Sequence, residues 1–318
     1  MFEAIVGALA ASLVTLSAIA PAAADPVQSL YDPPVGSRWS IHTQSREDDT
    51  RVGKASTTTV TYAAEFKIIE KTPLGFRLTY VMRDLDIRGD APNTALSKVL
   101  LQPRIGVVNQ VTADRNGKPV RVDNFADVQA AYQKGIADTV AAFAAHAPPE
   151  AATKMHGILD ASIPRDPENA AAGMDDLPLL ALGQNTGLAL DEVRNGAEVA
   201  SSPLSGEPIN TTTTLRLTHV DAAGDKQTLV RTETYDPAAM KRFALDAIKK
   251  LAPEAREKLN EIEAQMSATR VDRTEFTVEH GMTRAVSADS ITEIEEAGLT
   301  LTKHQHKEIT VTPAQPLP

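Results

Sequence analysis

The sequence predicts an α+β protein: one large, curved, antiparallel β-sheet of half-barrel type with amphipathic helices packed on one face. Three observations predict it. Segments of period-two alternation come in neighbouring pairs joined by short turns that contain glycine, as antiparallel hairpins require. Helical stripes with apolar residues every three or four positions stand near 125–143 and 240–266. No strand–helix–strand rhythm recurs, so a parallel sheet is disfavoured.

The first 24 residues read as a secretory leader. Phe2, Ile5, Val6, Leu9, Leu13, Val14, Leu16 and Ile19 sit among alanines with Glu3 as the lone charge, and Ala22 and Ala24 suit cleavage before Asp25. The apolar run is shorter than the ~20 residues that cross a bilayer, which disfavours an uncleaved anchor. Residues 25–318 are then expected to form a single α+β domain, periplasmic or secreted, with no integral membrane segment once the leader is removed. There is no cysteine, hence no disulfide, lipid-bearing thiol or thiolate nucleophile.

After a Pro-rich lead, Trp39, Ile41 and Thr43 mark one face of a first strand. Val60, Tyr62, Ala64, Phe66 and Ile68 alternate with polar or small residues. The turn Pro73-Leu74-Gly75 leads to Phe76, Leu78, Tyr80 and Met82, so the two runs form a hairpin with a shared apolar face. A strand over Ile105–Thr112 is expected to return through Asn116-Gly117 to Val120 and Val122. Asn124 reads as a helix N-cap before the stripe Phe125, Val128, Tyr132, Ile136, Val140 and Phe143. A second short helix is expected from Pro148-Pro149-Glu150.

Residues 161–208 show no sustained period and read as an irregular crossing, pinned to the body by the apolar stretch Leu177–Leu182. Strands over Thr211–Val220 and Lys226–Tyr235 follow. A helical stripe of Met240, Phe243, Ala244, Ala247, Ile248 and Leu251 comes next, then Ala255, Leu259, Ile262 and Met266. Three strands close the chain: Thr269–Glu279, Thr283–Ile294 and Leu299–Thr312. The threonine runs at 57–59 and 211–214 suit solvated strand faces and hint at an internal duplication.

The formal charge of −10 and the scatter of the basic residues argue against nucleic acid as a partner. His304 and His306 share one strand face with Thr300, Thr302, Glu308 and Thr310. They read as part of an exposed polar face, since no third metal ligand is evident. Asp166, Glu168, Asp175 and Asp176 lack the pattern of a calcium loop and read as a solvated acidic loop. No nucleophile elbow, serine-lysine motif, zincin helix or phosphate loop occurs, so no catalytic residue, metal or cofactor is assigned. The candidates for lining an apolar ligand cavity are Tyr62, Phe66, Phe76, Tyr80, Tyr132, Phe143, Phe243, Met266 and Phe276; the competing reading makes them the core itself.

Gly36-Ser37-Arg38-Trp39 opening the first strand, the Asp114–Pro119 turn, the Phe276-Thr277-Val278-Glu279-His280-Gly281 hairpin and helices lying between strands resemble the periplasmic half-barrel carriers of the lipoprotein-localisation type. The resemblance implies a concave sheet that carries acyl chains. The expected function is therefore a non-catalytic periplasmic carrier, with a lipid, an acyl ligand or an envelope protein as partner. An interaction module that docks an envelope protein, and a hydrolase with an unrecognised site, stand as alternatives.

Overall fold

A computed structural model describes residues 30–314, apart from 52–53, 92–93, 146–148, 162, 175, 202–207, 252–258 and 297–298. The expected leader at 1–24 and its cleavage point lie outside the described residues. The strands are β1 (Arg38–Arg51), β2 (Lys54–Thr72), β3 (Gly75–Gly89), β4 (Asn109–Asp114), β5 (Pro119–Val122), β6 (Val193–Ser201), β7 (Pro208–Val220), β8 (Lys226–Tyr235), β9 (Met266–Glu279), β10 (Met282–Glu296) and β11 (Leu299–Pro313). The helices are α1 (Thr94–Leu101), which runs into a 3-10 turn at Gln102–Arg104, α2 (Phe125–Ala144), α3 (Pro149–Ala161), α4 (Pro167–Ala172), α5 (Asp176–Leu182), α6 (Pro237–Leu251) and α7 (Leu259–Gln265).

The strands form one open antiparallel sheet, not closed into a barrel, in the order β5-β4-β3-β2-β1-β11-β10-β9-β8-β7-β6. The chain starts at the centre, walks to one edge through β5, crosses over, and walks back from the other edge. Its first and last strands therefore pair in the middle, Trp39 opposite Pro313 and Thr50 opposite Thr302. Hairpin geometry carries each half. Asn116-Gly117 makes the β4–β5 turn with Gly117 at φ +76°, a left-handed conformation that a β-carbon would strain.

One face of the sheet, here the inner face, holds the core. Alternate residues of every long strand point to it, and they collect into two clusters at opposite ends of the strands. The first contains Ile41, Phe66, Leu78, Leu229, Phe276 and Val311. The second contains Ile209, Tyr235, Met266, Ile294 and Leu301 with Met240, Phe243 and Ile248 of α6 and Ile262 of α7. Side chains such as Phe276 and Leu229 are fully buried, and each contributes about 1.5–3 kcal/mol by leaving water.

The irregular crossing expected at 161–208 contains α4, α5 and the edge strand β6. Helices of six and seven residues are too short to display a stripe, and β6 carries its valines on the exposed side, which hides the alternation. A second correction concerns the roof. The stripe of α2 does not lie across the sheet. Only Val128 and Ile136 are buried, and the helix packs against the 3-10 turn and α3, with Gly135 close over Pro103. The first cluster is covered mainly by α4 and α5, through Ala170, Ala171, Leu177 and Leu180, and α2 reaches it only with Phe125, Val128 and Tyr132 of its first half. Met266, expected on a helix, opens β9, while Ile105, expected in a strand, makes an isolated bridge to Met82 ahead of β4.

Candidate ligand site beneath the helical roof

The nine aromatic and methionine candidates do not come together. Tyr62, Phe66, Phe76, Tyr80 and Phe276 are buried in the first cluster, and Tyr132 packs against it from α2. Phe243 and Met266 belong to the second cluster. Phe143, half-buried near the end of α2, joins neither.

Tyr80 and Tyr132 do meet, at a small pocket on the margin of the α4–α5 roof. Met82, Arg104, Asn109, Pro164, Ala170, Gly173 and Met174 complete its lining, and its volume is about 30 Å³. The Arg104 guanidinium donates to the Gly173 carbonyl at 3.3 Å across one side. The two methionines and two tyrosine rings give the pocket an adaptable apolar wall, and Arg104 and Asn109 supply polar groups at its margin.

The roof is fastened by a polar latch that the sequence did not disclose. Asp176, the first residue of α5, is wholly buried. Its carboxylate accepts hydrogen bonds from the Tyr62 hydroxyl at 2.6 Å, the Thr43 hydroxyl at 3.2 Å and the Tyr80 hydroxyl at 3.2 Å. The Lys307 ammonium stands 3.4 Å away. The expected solvated acidic loop is corrected at Asp176, which is interior; Asp166, which caps α4 by accepting from the Asn169 amide at 2.6 Å, and Glu168 are exposed, and Asp175 lies outside the described residues. At the far end of α5 the Thr283 hydroxyl donates to the Leu180 carbonyl at 2.8 Å. Gly183 passes so close to the sheet that a β-carbon would lie 2.8 Å from the Thr283 oxygen and 3.0 Å from Phe276.

Between the two apolar clusters the inner face is polar. Ser45, Glu47 and Asp49 of β1 face Lys303, Gln305 and Lys307 of β11 in register. Farther out stand Thr292, Arg270, Asp272 and Thr274, then Arg231, Glu233, Thr211 and Thr213, and finally Glu198 at the edge. The charges are paired. The Arg231 guanidinium bonds Glu233 at 2.7 Å and Glu198 at 3.0 Å, Lys303 meets Glu47 at 2.9 Å, and Arg270 meets Asp272 at 2.9 Å. Two carboxylates share one cation at Arg231. Burial pushes Glu233 above the usual carboxylate range, and the nearby guanidinium only partly offsets it. Thr211 and Thr213 are thus interior groups of this belt, while Thr212 and Thr214 alone face water.

On the outer face, His304 Nε2 and His306 Nδ1 both contact one oxygen of Asp289, at 3.0 Å and 2.9 Å. Among the described residues no three histidine or acidic side chains are arranged to hold a metal ion. The hydrogen bond to Asp289 holds His306 above its ordinary value, with help from Glu308. Asp289 is held below its ordinary value, because the hydrogen bonds from His306 and His304 outweigh its partial burial. A raised histidine stabilises the fold below its unfolded value and loses that contribution as pH rises through its folded one. A depressed carboxylate stabilises above its unfolded value and loses that contribution as pH falls through its folded one. Both contributions are therefore present together between about pH 4 and about pH 6.5. Asp289→Asn is expected to return His306 toward its ordinary value, as followed by the imidazole signals in an NMR pH titration, and an unmoved titration would refute the coupling.

No protein-family model matches this chain, and no curated protein matches its sequence. Among solved structures it is similar to one of lipid–protein interactions in lipovitellin, with a TM-score of 0.43 at 8% identity over 90% of this chain and 26% of that one. The chain thus spans about a quarter of lipovitellin. An outer membrane channel from Pseudomonas putida F1 aligns with a TM-score of 0.22 at 7% identity, covering 92% of this chain and 100% of the channel. Ail, the attachment invasion locus protein of Yersinia pestis, aligns with a TM-score of 0.12 at 5% identity, covering 88% of this chain and 100% of Ail. At these scores the likenesses carry no function to this chain.

Proposed function

We propose that this chain is a non-catalytic binding protein of the bacterial periplasm or extracellular space, and that it takes a lipid or acyl ligand between the sheet and the α4–α5 roof. One observation carries the reading. The cover of the first apolar cluster is a pair of helices, six and seven residues long, held by the apolar side chains they bury and by a few polar contacts, with the Tyr80–Tyr132 pocket at its margin. Helices of this length have little stability of their own, so the cover depends on its contacts with the sheet and can lift as a unit. The closed pocket of about 30 Å³ is far below the ~300 Å³ of ordinary ligand sites. Binding an acyl chain thus requires the roof to move.

Native mass spectrometry and lipid extraction of protein purified from the periplasm, with titration of a fluorescent fatty-acyl probe, test the proposal. A co-purifying apolar ligand or saturable probe binding is expected. Met174→Arg, which sets a charge in the pocket wall, is expected to weaken probe binding at least tenfold, a loss of about 1.4 kcal/mol. Protein that is empty and does not bind the probe would overturn the carrier reading. The second reading, a module that docks an envelope protein, would then stand on the filling of both apolar clusters by the chain's own side chains.

A further inference from the structure

The two edges of the open sheet are managed differently. At one edge β5 is four residues long, begins with Pro119, and has α4 packed against it. Short length, proline and a covering element are the usual devices that stop an edge from recruiting another strand. At the other edge β6 is nine residues long, Val193–Ser201, and terminates the strand order. It contains no proline and no lysine. Its outward-facing residues Val193, Asn195, Ala197 and Val199 are uncharged and exposed, with Val193 at 50% and Val199 at 51% exposure.

We infer that β6 pairs antiparallel with β6 of a second copy of this chain, about a two-fold axis through Gly196, to give one continuous sheet across a homodimer. The strand's own sequence selects this register. Centred on Gly196, Val193 of each copy lies opposite Val199 of the other, Asn195 opposite Ala197, and Arg194 opposite Glu198. Directly opposed apolar pairs and opposite charges each favour a ladder, and every match occurs twice because the interface is isologous. The neighbouring registers that keep the inner faces on one side lose both matches: centred on Ala197, Val193 meets Ser201 and Arg194 meets Ala200. Glu198 already accepts from Arg231, so an arginine from the second copy extends the ion ladder of the inner face across the junction.

Sedimentation velocity of the purified protein over a wide concentration range is expected to show a dimer. Val193→Lys with Val199→Lys sets lysines opposite lysines at both outer pairs, and is expected to weaken dimerisation at least tenfold while leaving the melting temperature unchanged at dilutions where the wild type is also monomeric. Val193→Glu with Val199→Glu is expected to do the same. Mixing the two variants places each lysine opposite a glutamate and is expected to restore a heterodimer. A monomeric wild type, a dimer that survives the lysines, or a mixture that fails to reassociate would each overturn the inference.

Discussion

Replacing Asp176 by alanine is expected to cost about 3–5 kcal/mol of unfolding free energy and to release α4 and α5 from the sheet. The carboxylate is wholly buried and collects the hydroxyls of Tyr62, Thr43 and Tyr80 and the ammonium of Lys307. Removing it takes a common acceptor from the buried hydroxyls of Thr43, Tyr62 and Tyr80, and a lost partner costs more in the interior than at a surface. Asp176→Asn, which keeps the volume and one acceptor but not the charge, is expected to lose roughly half as much. Urea unfolding gives the magnitude, and hydrogen exchange across 167–182 locates it. If exchange there stays slow in Asp176→Ala, the latch does not hold the roof. A released roof is also expected to speed association of the fatty-acyl probe, which ties this contact to the proposed function.

Arg231→Met is expected to cost a comparable amount, about 3–5 kcal/mol near neutral pH. The guanidinium is the shared partner of Glu198 and Glu233, whose side chains are 6% and 3% exposed, and its loss leaves two carboxylates facing each other in the interior. Glu233 already has a raised folded-state value from burial, and losing Arg231 raises it further. A carboxylate raised in the folded state favours folding below its unfolded value and loses that contribution as pH rises through its folded one. The deficit of Arg231→Met is therefore expected to shrink as the pH is lowered from about 7 to about 5. Adding Glu198→Gln and Glu233→Gln is expected to recover most of the stability at neutral pH, because no uncompensated charge then remains. A deficit independent of pH would show that the carboxylates reach water when the arginine is gone.

The β2–β3 hairpin was legible because its paired segments 62–68 and 76–82 keep one strand face on the core. Phe66 and Ile68 against Phe76, Leu78 and Tyr80 write a period of two into the chain. The same holds for α6, whose Met240, Phe243 and Ile248 all meet one apolar surface. Legibility failed in the second half of β1 and at Asp176, where the inner face turns polar. Beyond Trp39, Ile41 and Thr43, β1 carries Ser45, Glu47 and Asp49 inward, and no apolar residue marks that face; their partners Lys303 and Lys307 are more than 250 positions away in the chain. Asp176 failed for the same reason. An acid before an apolar stretch looks like a loop residue, and nothing local announces the two tyrosines above which it sits. The α2 stripe misled in the other direction: its apolar face is real, but only its first half, Phe125, Val128 and Tyr132, reaches the first cluster, and the helix otherwise packs on the 3-10 turn and α3.

By itself the sequence determined the local elements: which segments alternate, which turns reverse the chain, and that hairpins rather than crossovers build the sheet. These depend on backbone preferences and nearest-neighbour burial, both of which act over a few residues. Only the tertiary structure decided that β1 and β11 meet at the centre, that α4 and α5 supply most of the cover of the first cluster, and that a belt of paired charges divides the inner face. Those outcomes rest on contacts between residues far apart in the chain, where the partner of a charge or an apolar face is fixed by strand order, and strand order leaves no period in the sequence.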